Sequence, residues 1–186
     1  ARAMFALEGM PAALQTAEQA DLLAFSLISL AILPDDGREA LLALAARVRA
    51  RGGRVAFDGN YRPRLWADAA TARHWRDRAI ACADIGLPTL EDEQHQGAAD
   101  AADVLRHWQA AGCAETVIKL GAAGCLLPDG TVLAPPAVLK PVDTSGAGDA
   151  FNAGYLAARL RGGSIREAAQ AGQRDVPEPL PRVGPV

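Results

Sequence analysis

The strongest constraint on this chain is the regular alternation of helix-length amphipathic segments with short apolar runs. The apolar run LLAFSLISLAIL, residues 22–33, reads as a buried strand. After it, Asp35 and Asp36 stand where they can cap a helix at its positive end. Leu41, Leu44, Ala45 and Val48 then recur at helical spacing, and Gly52-Gly53 stops that helix. RVAFDGN at 54–60 reads as a strand, 68–82 as a helix, 83–88 as a strand and 98–111 as a helix. ETVIKLG at 115–121 is again a strand. GCLLP at 124–128, the turn Asp129-Gly130 and TVLA predict a hairpin. Helices follow from about 147 to 160 and again after Ser164. This order predicts an α/β fold: βαβ units, right-handed crossovers and a mostly parallel central sheet covered by helices. In such a sheet, ligands bind beyond the carboxyl ends of the strands. Asp58, Asn60, Lys119 and Asp143 fall at or just after predicted strand ends, which turns the fold into a site hypothesis.

Composition narrows the function classes. A chain of 186 residues is long enough to bury one proper core. Its net charge of −3 supplies no positive field for nucleic acid. Cys82, Cys113 and Cys125 are odd in number and lack CxxC spacing, so they read as reduced thiols rather than a disulfide framework or zinc site. His74, His95 and His107 are not at metal-ligand spacing and read as helix-face or surface residues. The longest apolar run is shorter than the roughly 20 residues a membrane span needs, and no charged segment precedes it as in a signal peptide. A cytoplasmic protein without membrane or nucleic-acid partners is expected, with self-association into a homo-oligomer left open. The chain starts at ARAMFALEG with no initiating methionine. It ends in RDVPEPLPRVGPV, whose four prolines exclude helix and central strand.

The chemistry concentrates in VDTSGAGDAFNAGY, residues 142–155. Gly146, Ala147 and Gly148 can turn their backbone N–H groups toward one point at a helix N-terminus, and the helix dipole adds to that anion site. A P-loop would need GxxxxGK, and this loop has no lysine. A dinucleotide loop would need a third glycine where Phe151 stands. Asp149 lies in the first helical turn, where the dipole favours its ionised form. As a mere binding group beside a second anion it would repel that anion. It makes more chemical sense as a base that takes a hydroxyl proton while the amides receive a moving phosphoryl group. The alternative is that it simply caps the helix.

DTSGAGDAFNAGYLAARL resembles the C-terminal signature of the ribokinase-like sugar kinases, the PfkB family, whose pattern is DTxGAGD followed by an apolar helix. FDGNYRPRLW at 57–66 is similar to the FDxNYRxxLW of 2-keto-3-deoxygluconate kinases, and SLISLAIL to the SGxxLAIL strand of that subgroup. With VIKLGAAG at 117–124, the resemblance runs from about Leu22 to Gly172. It implies a ribokinase-like three-layer sandwich with a small β-sheet lid supplied mainly by the N-terminal part. It further implies that Gly146, Ala147 and Gly148 form the anion hole for the γ-phosphate and that Asp149 is the catalytic base, touching the substrate. Asn60 and Arg62 would lie near the nucleotide phosphates and the substrate. The Lys119–Gly124 loop, with Gly121, would border ATP.

The residues themselves leave alternatives. Arg62 is a planar fork suited to a carboxylate or phosphate, or else a surface arginine packed on Trp66. Asn60 can form an Asx-turn after its strand. Gly121 and Gly124 can serve to shape a hairpin, and Lys119 can be a solvated charge. The sequence also departs from the family pattern. At PTLEDE, Thr89 stands for the asparagine and Asp92 for the glutamate of an Asn-x-x-Glu motif that organises Mg²⁺ through water. Leu27 replaces the glycine expected after Ser26, and the last helix is expected to break off at Gln173. Residues 1–173 thus read as a partial kinase domain with most of the lid missing, and 174–186 as an irregular tail. The expected activity is ATP- and Mg²⁺-dependent phosphorylation of 2-keto-3-deoxygluconate at its 6-hydroxyl. The alternatives are a kinase for a neutral sugar such as ribose or fructose, and a non-catalytic nucleotide-binding module.

Overall fold

The computed structural model describes residues 15–135 and 146–174. The chain divides between two compact units, Ala1–Ile118 and Lys119–Val186. Among the described residues no helix is long and apolar enough to cross a membrane.

The first unit is built on a four-stranded parallel sheet in the order β1 (Leu22–Ser26), β2 (Arg54–Asp58), β3 (Ile85–Gly86), β4 (Glu115–Thr116). Between these strands lie α1 (Leu27–Ala31), α2 (Asp35–Ala50), α3 (Ala69–Cys82), α4 (Leu90–Gln94) and α5 (Ala101–Ala110). Val55, Ala56 and Phe57 of β2 are all buried, as expected of a strand sealed on both faces. Helix α2 buries Leu42, Leu44, Ala45 and Val48, and α3 buries Ala72, Trp75, Ala79 and Ile80. Trp108 of α5 is fully buried and stacks on Phe57 with ring centroids 5.7 Å apart. Each such side chain contributes about 1.5–3 kcal/mol.

Local chemistry explains the boundaries. Asp68 and Asp100 cap α3 and α5, accepting the N–H groups of Thr71 and Asp103 at 2.7 and 2.8 Å. Asp35 and Asp36 do not cap α2. Pro34 holds the cap position, and the two acids sit in the first turn, where the dipole favours them.

Two sequence expectations fail for identifiable reasons. The apolar run 22–33 is not one strand: pairing with β2 ends at Ser26, opposite Asp58, and a helical turn begins. Ser26 and Ser29 form a reciprocal capping box, Ser26 N–H donating to Ser29 Oγ at 3.1 Å and Ser29 N–H to Ser26 Oγ at 3.4 Å. The flanking residues are apolar on every side, so no change of period marks the switch. The predicted strand 115–121 likewise splits: β4 ends at Thr116, and β5 (Ile118–Lys119) joins a different sheet.

That second sheet has the order β5, β6 (Cys125–Leu126), β7 (Val132–Leu133). The β6–β7 pair is the predicted antiparallel hairpin, with Cys125 opposite Leu133. Gly124 enters it at φ 95°, and a Cβ there would stand 2.1 Å from the Leu133 carbonyl oxygen. Only glycine fits. The second unit also carries α6 (Ala147–Leu160) and α7 (Ile165–Arg174), which pack so closely that a Cβ on Gly172 would meet the Phe151 carbonyl oxygen at 2.7 Å. Helix α7 reaches Arg174, one residue past the expected break at Gln173. The proline-rich segment beyond lies outside the described residues.

Candidate active site

The described residues place the predicted site residues in two groups, one in each unit. In the first unit, β2 ends at Asp58, whose Oδ1 accepts the Asn60 N–H at 3.2 Å, so the Asx-turn after the strand is made by Asp58 and not by the Asn60 side chain. The Asn60 carbonyl oxygen Oδ1 is buried with no hydrogen-bond partner. It is the Arg38 guanidinium that lies over the Trp66 indole, at 5.0 Å. Arg62 Nη1 donates to the Tyr61 carbonyl at 2.7 Å and to Asp92 Oδ1 and Oδ2 at 3.2 and 3.4 Å. Thus the structure joins Arg62 and Asp92, two residues selected for separate reasons.

Asp92 comes from the first turn of α4, where Thr89 takes the cap position with extended backbone and no side-chain cap bond. Burial pushes the Asp92 carboxyl above its ordinary range; the Arg62 guanidinium opposes that, and Asp58 adds to it by repulsion. Among the described residues, no group of three or more His, Cys, Asp or Glu side chains is gathered to hold a metal ion. Asp92 as arranged faces a guanidinium, which does not suit a direct metal ligand.

In the second unit, α6 begins at Gly146 in the left-handed conformation, φ 80°, with no side-chain cap bond. The first helical hydrogen bond here runs from Ala150 N–H to Gly146 O at 2.9 Å. The N–H groups of Ala147, Gly148 and Asp149 therefore precede the helical ladder, as an anion site requires. Asp149 is exposed to solvent in that first turn. Lys119 is not a solvated charge: it is 8% exposed, and its Nζ donates to Asn152 Oδ1 at 3.1 Å. The ammonium lies 3.6 Å from where a Cβ on Gly148 would stand.

Gly121 sits at φ 61° at the start of a short 3₁₀ turn ending at Ala123. Gly124 has the hairpin geometry given above, with φ 95°. Asp143, Thr144 and Ser145 lie outside the described residues. Asn152 escaped sequence reasoning, although its signal was present: it is a polar residue in an apolar helix, one turn after Gly148. The histidines stay apart. His107 bonds Asp77 at 3.0 Å, and His74 lies edge-on to Trp75. Burial pushes the Cys113 and Cys125 thiols up to about 11, which argues against a nucleophilic role for either.

These features (a parallel sheet, a loop after β2 bearing an arginine, and a glycine-started helix with an exposed acid) define a ribokinase-like kinase fold. The chain belongs to the pfkB family of carbohydrate kinases, whose model matches residues 1–174. It is 45% identical over 159 residues to the 2-dehydro-3-deoxygluconokinase of Escherichia coli K12, covering 82% of this chain and 52% of that protein. The enzyme of the same name from Dickeya dadantii is 44% identical over 165 residues, covering 85% of this chain and 53% of that one. Among solved structures, the aminoimidazole riboside kinase of Salmonella enterica, complexed with aminoimidazole riboside and an ATP analogue, superposes with a TM-score of 0.74. Its identity is 33%, over 83% of this chain and 54% of that chain. The chain spans about half the length of the relatives it matches.

Proposed function

We propose that the protein containing this chain transfers the γ-phosphoryl group of ATP to a hydroxyl of a sugar acid, 2-dehydro-3-deoxygluconate. The observation that carries the phosphoryl-transfer proposal is the Lys119 ammonium beside Gly148 at the mouth of α6, with Asp149 exposed in the same turn. Asp149 takes the proton of the acceptor hydroxyl as its oxygen forms a bond to the γ-phosphorus. The bond from that phosphorus to the β,γ-bridging oxygen breaks, and ADP leaves with the electron pair. The Gly146–Gly148 amides and Lys119 receive the charge on the migrating group. Asn60 and Arg62 are assigned to nucleotide and substrate binding, and Gly121 to the nucleotide border. The Arg62 fork suits the acid's carboxylate. Mg²⁺, when bound with the nucleotide, neutralises phosphate charge; Asp92 is its candidate contact, through water. Residues 1–173 are assigned to one kinase domain and the remainder to a tail.

Coupled assay of ADP release by the full-length gene product, with ATP and the sugar acid, tests the proposal. Asp149→Asn is expected to lower kcat about 10²–10⁴-fold with little change in KM. Undiminished turnover in that variant removes Asp149 as the base. The similarity to the aminoimidazole riboside kinase of Salmonella typhimurium, 38% identical over 135 residues, favours a neutral sugar as the second candidate. A higher kcat/KM for ribose or fructose than for the sugar acid would select it.

A further inference from the structure

Glu93 belongs to none of the assignments above, yet it is the most buried charged residue among those described, at 1% exposure. Taking a carboxylate out of water costs several kcal/mol unless it is paired, on the order of the whole stability margin of a domain. Its Oε2 accepts a hydrogen bond from Arg76 Nη1 at 3.1 Å. Arg76 is itself held, with Nε donating to Asp77 Oδ1 at 3.0 Å and Nη2 lying 3.3 Å from His107 Nε2. The other oxygen, Oε1, has no hydrogen bond of ordinary geometry, although the Trp108 indole lies close to the carboxylate. What Oε1 does face is backbone. A Cβ built on Gly59 would stand 2.9 Å from it, and the same Cβ would lie 3.5 Å from both Pro88 and Trp108.

Gly59 directly precedes Asn60 and Arg62. From the adjacent position on α4, Asp92 grips the Arg62 guanidinium. One helical turn thus meets the 59–62 loop at two points, by an ion pair at Arg62 and by close approach at Gly59. The Glu93 oxygen cannot swing aside cheaply, because doing so breaks the buried pair and leaves the Arg76 guanidinium to Asp77, whose side chain is 45% exposed. We infer that Glu93, anchored by Arg76, is a positioning residue: its carboxylate is the support against which Gly59 rests, and it thereby sets where Asn60 and Arg62 are presented. The role of Arg62 in binding the sugar acid rests on the proposed function; the mechanical role of Glu93 does not.

The experiment follows backbone amide exchange and kinetics together in the full-length protein. Glu93→Gln keeps the shape and removes the charge that holds Arg76; Gly59→Ala leaves the pair intact and forces the loop away. Both are expected to speed exchange of the 59–62 amides about tenfold while β1 and α2 exchange as before. Both should raise KM for the sugar acid about tenfold, with kcat changed by no more than about twofold. Unchanged exchange in the loop overturns the inference whether or not the protein is a kinase. A uniform rise across the first unit also overturns it, since Glu93 would then serve stability alone. If the loop loosens as expected but wild type does not phosphorylate the sugar acid, the substrate proposal falls and the positioning role stands.

Discussion

Asp92 and Glu93 are consecutive residues of one short helix, and each is bonded to an arginine, but the two pairs live in different surroundings. The Glu93–Arg76 side chains are 2% and 7% exposed, whereas those of Asp92–Arg62 are 17% and 51% exposed. A buried pair repays its desolvation only while both partners are present. A half-exposed pair gains little, because water and salt screen it. The difference separates a fixed part from an exchangeable one. Arg62 can release Asp92 for a ligand carboxylate or phosphate at small cost, while Arg76 cannot release Glu93. One helix therefore anchors the loop with one acid and, with the other, pairs Arg62, the arginine proposed to bind ligand.

Breaking the buried side should have the largest effect. Arg76→Ala is expected to destabilise the protein by about 3–5 kcal/mol in urea unfolding, because Glu93 is left buried without its cation. A loss near that expected for an ordinary surface change would mean that water already reaches this pair. A smaller and signed effect comes from pH. Burial first, only partly offset by Arg76, raises the Glu93 carboxyl above its ordinary 4.5. The folded state then binds the proton more tightly than the unfolded chain, so this group's contribution to stability falls as pH rises from about 4.5 through the folded pKa. Asp92, also raised by burial, acts in the same direction from about 3.8 upward. Comparing urea midpoints across this window, Glu93→Gln should remove more of the decline than Asp92→Asn does. An equal effect would erase the contrast between the two pairs. The smallest expected change is in the stability of Asp92→Asn at neutral pH, within about 1 kcal/mol of wild type, because a half-exposed pair contributes little. A loss as large as that of Arg76→Ala would show that Arg62 is clamped rather than available.

Much of this was legible along the chain. Helices α2, α3, α5 and α6, the β6–β7 hairpin and the glycine start of α6 lie close to their expected positions, because caps, turns and periodicity act within a few residues. The strand-to-helix change at Ser26 was hidden, since a Ser–Ser capping box inside an apolar run breaks no pattern. Lys119 looked equally suited to solvent. Its burial depends on Asn152, 33 residues away. Glu93 was invisible as anything but one acid in LEDEQ, because the partner that makes it buried lies on another helix.

By itself, the sequence determined the alternation of helix and strand, the caps, and a permissive backbone with an acid at the mouth of α6. All of these are decided by residues within about a turn of one another. Only the tertiary structure decided which acid meets which arginine, that the strand through Val117 divides between two sheets, and that a lysine stands at a helix's positive end. These depend on how distant segments are brought together: Arg76 and Glu93 are 17 residues apart, and Arg62 and Asp92 are 30. Neither side chain of such a pair carries a local mark of its partner.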